Sequence, residues 1–186
     1  MRWFVLLLIA LACFGFVQES SIKPKETLAF GVGERVDYEM YLWGITIGKG
    51  AAEVDKKYHT KNDRTCFKVD AYMETLGMAT WVSNVNDIWG AYIDSSEIIT
   101  HESYRKLKEG KYRLDELIKY DHDQDKAFVQ VADKTTGKFG EPKEYNTPDN
   151  VRDVVTGFMY LRVIDFSKYK MKDTLTVSGF FEDKAY

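Results

Sequence analysis

The chain has 186 residues, 30% charged and 15% aromatic, and its Lys plus Arg (26) fall just short of its Asp plus Glu (29), for a net charge of -3. Binding to a phosphate backbone leans on a clustered basic face, whereas the signs here alternate along most of the chain, so nucleic acid is excluded as an expected partner. The length suits one domain with a sizeable core.

The N-terminus, "MRWFVLLLIALACFGF", places Arg2 ahead of an uncharged apolar run from Trp3 to Phe16. That is the grammar of a signal peptide. The run is shorter than the ~20 residues needed to cross a bilayer as a helix, so residues 1–20 are predicted to be a removed leader and residues 21–186 a single β domain. The expected location is the periplasm or cell envelope, with no transmembrane span once the leader is gone. "ALAC" before Cys13 also admits lipid attachment there. A bulky aliphatic residue is missing three places earlier, where Ala10 stands, and "FGFV" continues the apolar core, so soluble export is favoured over an anchor at Cys13. Loss of the leader leaves Cys66 alone, which excludes an intramolecular disulfide in the mature chain and predicts a small buried hydrophobe.

In "GERVDYEMYLWGITIGKGAAEV", Val36, Tyr38, Met40 and Leu42 alternate with Asp37, Glu39 and Tyr41, the pattern of a half-buried antiparallel strand. A turn is expected at Trp43 and Gly44. Gly48, Gly50, Ala51 and Ala52 then leave room beside the second strand for close backbone packing or for a ligand. Phe67, Val69, Ala71 and Met73 alternate with Lys68, Asp70, Tyr72 and Glu74 in the same way, and turns are expected at Glu109-Gly110 and from Asp121 to Asp125. One stretch differs: "TPDNVRDVVTGFMYLRVIDF" starts with Thr147-Pro148 and spaces Val151, Val154, Val155, Phe158 and Leu161 for an amphipathic helix near 149–163. After it, "DTLTVSGFF" reads as strand. The predicted fold is therefore mostly β, an antiparallel meander with one helix docked by its apolar stripe.

The combination of "GERVDYEMYLWGITIGKGAAEV", "YIDSSEIITHESYRKLKEGKYR" and "VVTGFMYLRVID" followed by a strand resembles the bacterial family called domain of unknown function 3108, over most of residues 31 to 186. The resemblance implies an exported envelope protein whose antiparallel sheet curls into a partly open barrel. It also implies further β structure beyond the position of "SGFFEDKAY", so the domain is expected to be incomplete at Tyr186.

Motifs for chemistry are sparse. Asp121, Asp123 and Asp125 are spaced like the start of a calcium loop, but Lys126 and Ala132 stand where that loop needs Gly and Glu, so a solvated hairpin tip is expected and no metal site. His59, His101 and His122 show no HExxH spacing and no serine sits in a GxSxG elbow, so no catalytic residue and no cofactor is assigned. Three function classes follow: first a non-catalytic binding or carrier domain for an amphipathic envelope molecule, lipid or glycan; second a structural or assembly protein acting through protein contacts; third a hydrolase, which would need His and carboxylate side chains converging in one cleft. For the first class, Trp43, Trp81 and Trp89 are the expected ligand-binding residues, standing around the mouth of a hollow in the curled sheet.

Overall fold

The computed structural model describes residues 29–186; the leader and Cys13 lie outside the described residues. Strand β1 (Arg35–Leu42) turns into β2 (Ile45–Val54) at Trp43 and Gly44, both in the left-handed region with φ of 51° and 80°. This is the two-residue hairpin geometry that matches strand twist and favours Asn or Gly. A Trp at the first position costs about 1–2 kcal/mol in local backbone energy. Strand β3 (His59–Lys61) returns through Asn62 and Asp63, again with positive φ, into the long β4 (Arg64–Thr75). A short helix α1 (Ala79–Val82) leads to β5 (Asn86–Asp94), and hairpins then join β6 (Thr100–Glu109), β7 (Tyr112–Asp121) and β8 (Lys126–Val131), with β9 (Lys143–Asn146) at the far edge.

All neighbours are antiparallel and the sheet runs β1-β2-β4-β5-β6-β7-β8-β9 with β3 beside β4, so the expected meander forms. It is a curled, partly open sheet. β1 and β9 remain as edges, and register shifts at Met40/Tyr41 and Tyr92/Ile93 bend it. The small residues of β2 serve backbone packing: a Cβ on Gly48 or Gly50 would stand 2.8 Å from the Glu74 or Tyr72 carbonyl oxygen of β4.

Cross-strand pairing puts Phe67 opposite Ile93, Val69 opposite Ala91, Ala91 opposite Ser103, Ser103 opposite Ile118 and Ile118 opposite Val129, so these side chains share one face. Two apolar clusters lie there side by side. One gathers Phe30, Val54, Phe67, Val69, Ala91, Ile93 and Ile98; the other gathers Ile118, Tyr120, Ala127, Val129, Val151 and Phe180. Cys66, on the opposite face, is fully buried, and burial pushes its thiol up to about 12. That removes it as a nucleophile at neutral pH.

Helix α2 (Val154–Val163) covers the first cluster with Val155 and Met159. It starts later than the expected position near 149, because Asp153 caps it: the Asp153 carboxylate accepts from the Thr156 and Val155 amides, and Thr100 Oγ1 donates to it at 3.1 Å. Val151 is buried but precedes the helix, so the helical phase differs from the expected stripe. Phe158 (67% exposed), Leu161 and Val154 face outward, while Val155, Thr156 and Met159 face in. The Phe158→Ala variant should therefore shift urea melts by less than about 1 kcal/mol; a cost typical of core truncation would mean the helix packs by its other face.

The region expected to return to strand pairs only in its last residues. A hairpin of β10 (Phe180–Phe181) and β11 (Lys184–Ala185) turns at Glu182 and Asp183 and is tied to the sheet through Arg152, whose carbonyl accepts from the Phe180 amide at 3.0 Å. Residues 174–178 join no ladder. No helix among the described residues is long and apolar enough to cross a membrane.

Candidate functional site

The open end of the sheet, where β4 begins and β5 ends, holds a cleft of about 650 Å³ lined by Asn62, Arg64, Asp94, His101, Tyr120 and His122, with Ile99, Lys119, Asp121, Asp123 and Phe128 around them. Its volume is that of a small-molecule site. The β4–β5 and β6–β7 registers bring these residues together from distant positions, since Cys66 pairs with Asp94 and Glu102 with Lys119.

Asp94 is the hub. It is 1% exposed, and its Oδ2 accepts from Arg64 Nε at 2.7 Å and lies 3.2 Å from His101 Nε2. Its Oδ1 accepts from the Ser96 and Glu97 amides at 2.7 and 3.0 Å, which shapes the turn into β6. Burial alone would raise this carboxyl; the His101 and Arg64 hydrogen bonds and the two amides overcome it and hold it well below the usual carboxylate range. Arg64 also donates to Glu97 at 2.6 Å, so one guanidinium clamps both ends of the turn.

His101 is held at both nitrogens. In the tautomer that satisfies both contacts, Nε2 donates to Asp94 and Nδ1 accepts from the Asn62 amide at 3.2 Å. Asn62 also donates to the Tyr120 carbonyl at 3.0 Å, so a residue needed for the left-handed β3–β4 turn serves the cleft wall as well. His122 stands edge-on to His101 with ring centroids 5.2 Å apart and donates through Nε2 to the Thr100 carbonyl at 2.7 Å. Burial, with a smaller contribution from His101, lowers its pKa. It is therefore neutral at pH 7, with Nδ1 left as an acceptor. The Asp121 carboxylate is spent on its own loop, accepting from the Asp123 and Gln124 amides at 3.0 Å each.

The three tryptophans do not gather around this cleft. Trp43 tips the β1–β2 hairpin at 93% exposure and Trp81 sits in α1 at 86%. Both are at the opposite end of the sheet, since the start of β2 pairs with the end of β4. Trp89 lies mid-strand in β5, half-buried, stacked on Phe181 at 5.8 Å with the Arg105 guanidinium 5.5 Å over its ring. Arg105 in turn pairs with buried Glu116 at 2.6 Å. Trp89 is thus a packing residue under the β10–β11 hairpin, and the expected common rim does not form.

The fold and cleft define a class: a curled antiparallel sheet, helix-covered on one face, with a polar-lined cleft at one end. Residues 37–186 match the family model described as protein of unknown function (DUF3108), and the chain belongs to that family. No curated relative and no solved structure matches the chain.

Proposed function

We propose that the domain is an exported, non-catalytic binding module of the cell envelope whose cleft takes the polar, hydroxyl-rich part of an amphipathic envelope molecule. The observation that carries this reading is the lining of the 650 Å³ cleft, where Arg64 and Lys119 offer donors, the Asn62 side-chain carbonyl, His122 and Asp123 offer acceptors, and Phe128 offers a ring face. Sugar rings need that mixture. An acyl chain needs a closed apolar hollow, and the spaces beside Phe180 are a gap of about 20 Å³ against Trp89 and an open one of about 160 Å³ against Val177. Glycan is therefore favoured over lipid tail as the bound part.

The His101–Asp94 pair meets the first geometric requirement of a hydrolase, yet its groups are already engaged. His101 has no free nitrogen, Asp94 makes four hydrogen bonds, and the buried Ser95 hydroxyl contacts no base. Such a network supports positioning of the cleft wall over proton transfer.

Titration of the isotope-labelled full chain with chitotriose and maltotriose, followed by amide NMR, tests the reading. Shifts should centre on Asn62, His101, Lys119 and His122, decanoate should leave these amides unmoved, and Lys119→Ala should weaken glycan binding by roughly fivefold or more, the loss of one charge-assisted hydrogen bond. Perturbation confined to other surfaces would overturn the assignment of the cleft, and release of shortened glycan would replace binding by hydrolysis.

A further inference from the structure

The end of the sheet opposite the cleft combines features that a solvated surface would not keep. Met40 to Gly48 and Thr75 to Asn86 contain no charged side chain in a chain that is 30% charged. The two stretches are neighbours: Gly48 pairs with Thr75, and the Leu76 amide donates to the Ile47 carbonyl at 2.8 Å. Together they expose Leu42, Trp43, Ile45, Met78, Trp81 and Val82, the last at 91%. Trp43 is doubly disfavoured, as a bulky ring at φ 51° and as an indole left in water. A costly outlier of this kind points to function at that position.

Beside this uncharged tip stands a basic one. The β6–β7 turn reaches the same end, since Val85 bridges to Glu109 and the Gly110 amide donates to the Asn84 carbonyl at 2.9 Å. It carries Lys106, Lys108, Lys111 and Arg113, all exposed, with Glu109 among them and Asp115 across the hairpin 3.7 Å from Lys106, on a chain of net negative charge. Lys108 and Lys111 have no ion-pair partner among the described residues.

We propose that this end of the sheet rests on an anionic bilayer surface, with Trp43 and Trp81 in the headgroup layer and Lys108, Lys111 and Arg113 against the lipid phosphates. Indoles settle at the water–lipid boundary because the ring is apolar and the N–H needs a polar neighbour. Adjacent cations are attracted by the negative surface potential. The occupant is a bilayer and not a protein because the exposed apolar side chains stand beside cations unpaired among the described residues, on a chain of net negative charge, the complement of an anionic lipid surface. β4 spans the sheet from cleft to tip, about 36 Å at ~3.3 Å per residue, so docking would hold the cleft away from the membrane, facing outward from it. The inference rests on this surface alone and stands or falls independently of the glycan reading.

The test is flotation of the full chain with phosphatidylcholine vesicles containing or lacking one quarter phosphatidylglycerol. Trp43→Ser/Trp81→Ser should lower partitioning about tenfold or more with an unchanged thermal midpoint, since both rings are exposed. Lys108→Glu/Lys111→Glu should lower it by roughly fivefold per charge, an effect removed by 0.5 M salt. Phe158→Ser, which alters a different exposed apolar side chain, should change nothing. Equal flotation of the tryptophan variant and the parent chain would overturn the proposal. So would a parent dimer in sedimentation equilibrium that the tryptophan variant abolishes, because the tips would then be meeting a second copy.

Discussion

The Asp94→Ala variant is expected to lose about 3–5 kcal/mol of folding stability at neutral pH, the range for removing one partner of a buried ion pair. Its four contacts explain the size. Without the carboxylate, Arg64 loses its 2.7 Å partner, His101 loses its 3.2 Å partner, and the Ser96 and Glu97 amides lose the acceptor that shapes the β5–β6 connection. Asp94→Asn should cost a comparable amount, because its amide group would place a second donor against Arg64 Nε and His101 Nε2–H. Glu97→Ala should cost under ~1 kcal/mol, since that carboxylate is half exposed and only supplements the clamp.

Acid should narrow the difference between the parent and Asp94→Ala. The folded carboxyl lies below its unfolded value, so the unfolded chain takes up more protons as pH falls. The stabilisation is complete above the ordinary carboxylate range near pH ~4 and is lost as pH falls below it toward the folded pKa. Urea melts at pH 7 and pH 3 measure this directly. A gap between parent and variant that is the same at both pH values would show that the ionised form of Asp94 contributes nothing.

What could be read from the sequence follows the range of the interactions involved. Alternation along Phe67, Val69, Ala71 and Met73 is local, and the structure places Phe67 and Val69 fully inside. The Trp43-Gly44 turn and the four-residue loop after Asp121 were legible for the same reason. The cleft was not legible. Asn62, Asp94, His101 and His122 share no spacing motif and meet only through the pairing of β3 to β7, which one sequence does not specify. A signal for it exists in retrospect: Asn62-Asp63 between two β-rich runs is a tight-turn dipeptide, and recognising it would have set β3 against β4. The helix was legible in kind but not in phase. Val151 fits the apolar stripe yet is buried as extended chain, and the Asp153 cap moves the helix start past it. The place of Trp89 is not legible locally, because its cover, Phe181, comes from a hairpin distant in sequence.

Replacing Phe67 by Ala should cost about 3–5 kcal/mol, whereas Met73→Ala, on the same strand and face, should cost under ~1 kcal/mol. Phe67 is 1% exposed and its ring meets Phe30 at 5.1 Å and Tyr58 at 5.2 Å, with Val155 and Met159 of α2 in the same cluster. Three separate segments thus close over one ring. None can collapse into the space left by its loss without giving up its own contacts, which keeps the cavity open and the cost high. Met73, 42% exposed, lies beyond the reach of that cover. Burial therefore fades along β4 from the cleft toward the tryptophan tips, and only the cleft half is anchored by core packing. Equal costs at Phe67 and Met73 in urea melts would show a uniform core and remove the reason for treating the tips as a free surface. The expected disparity means that side chains at the tip end can be exchanged at little cost to folding, so the membrane test reads contact with the bilayer and not loss of structure.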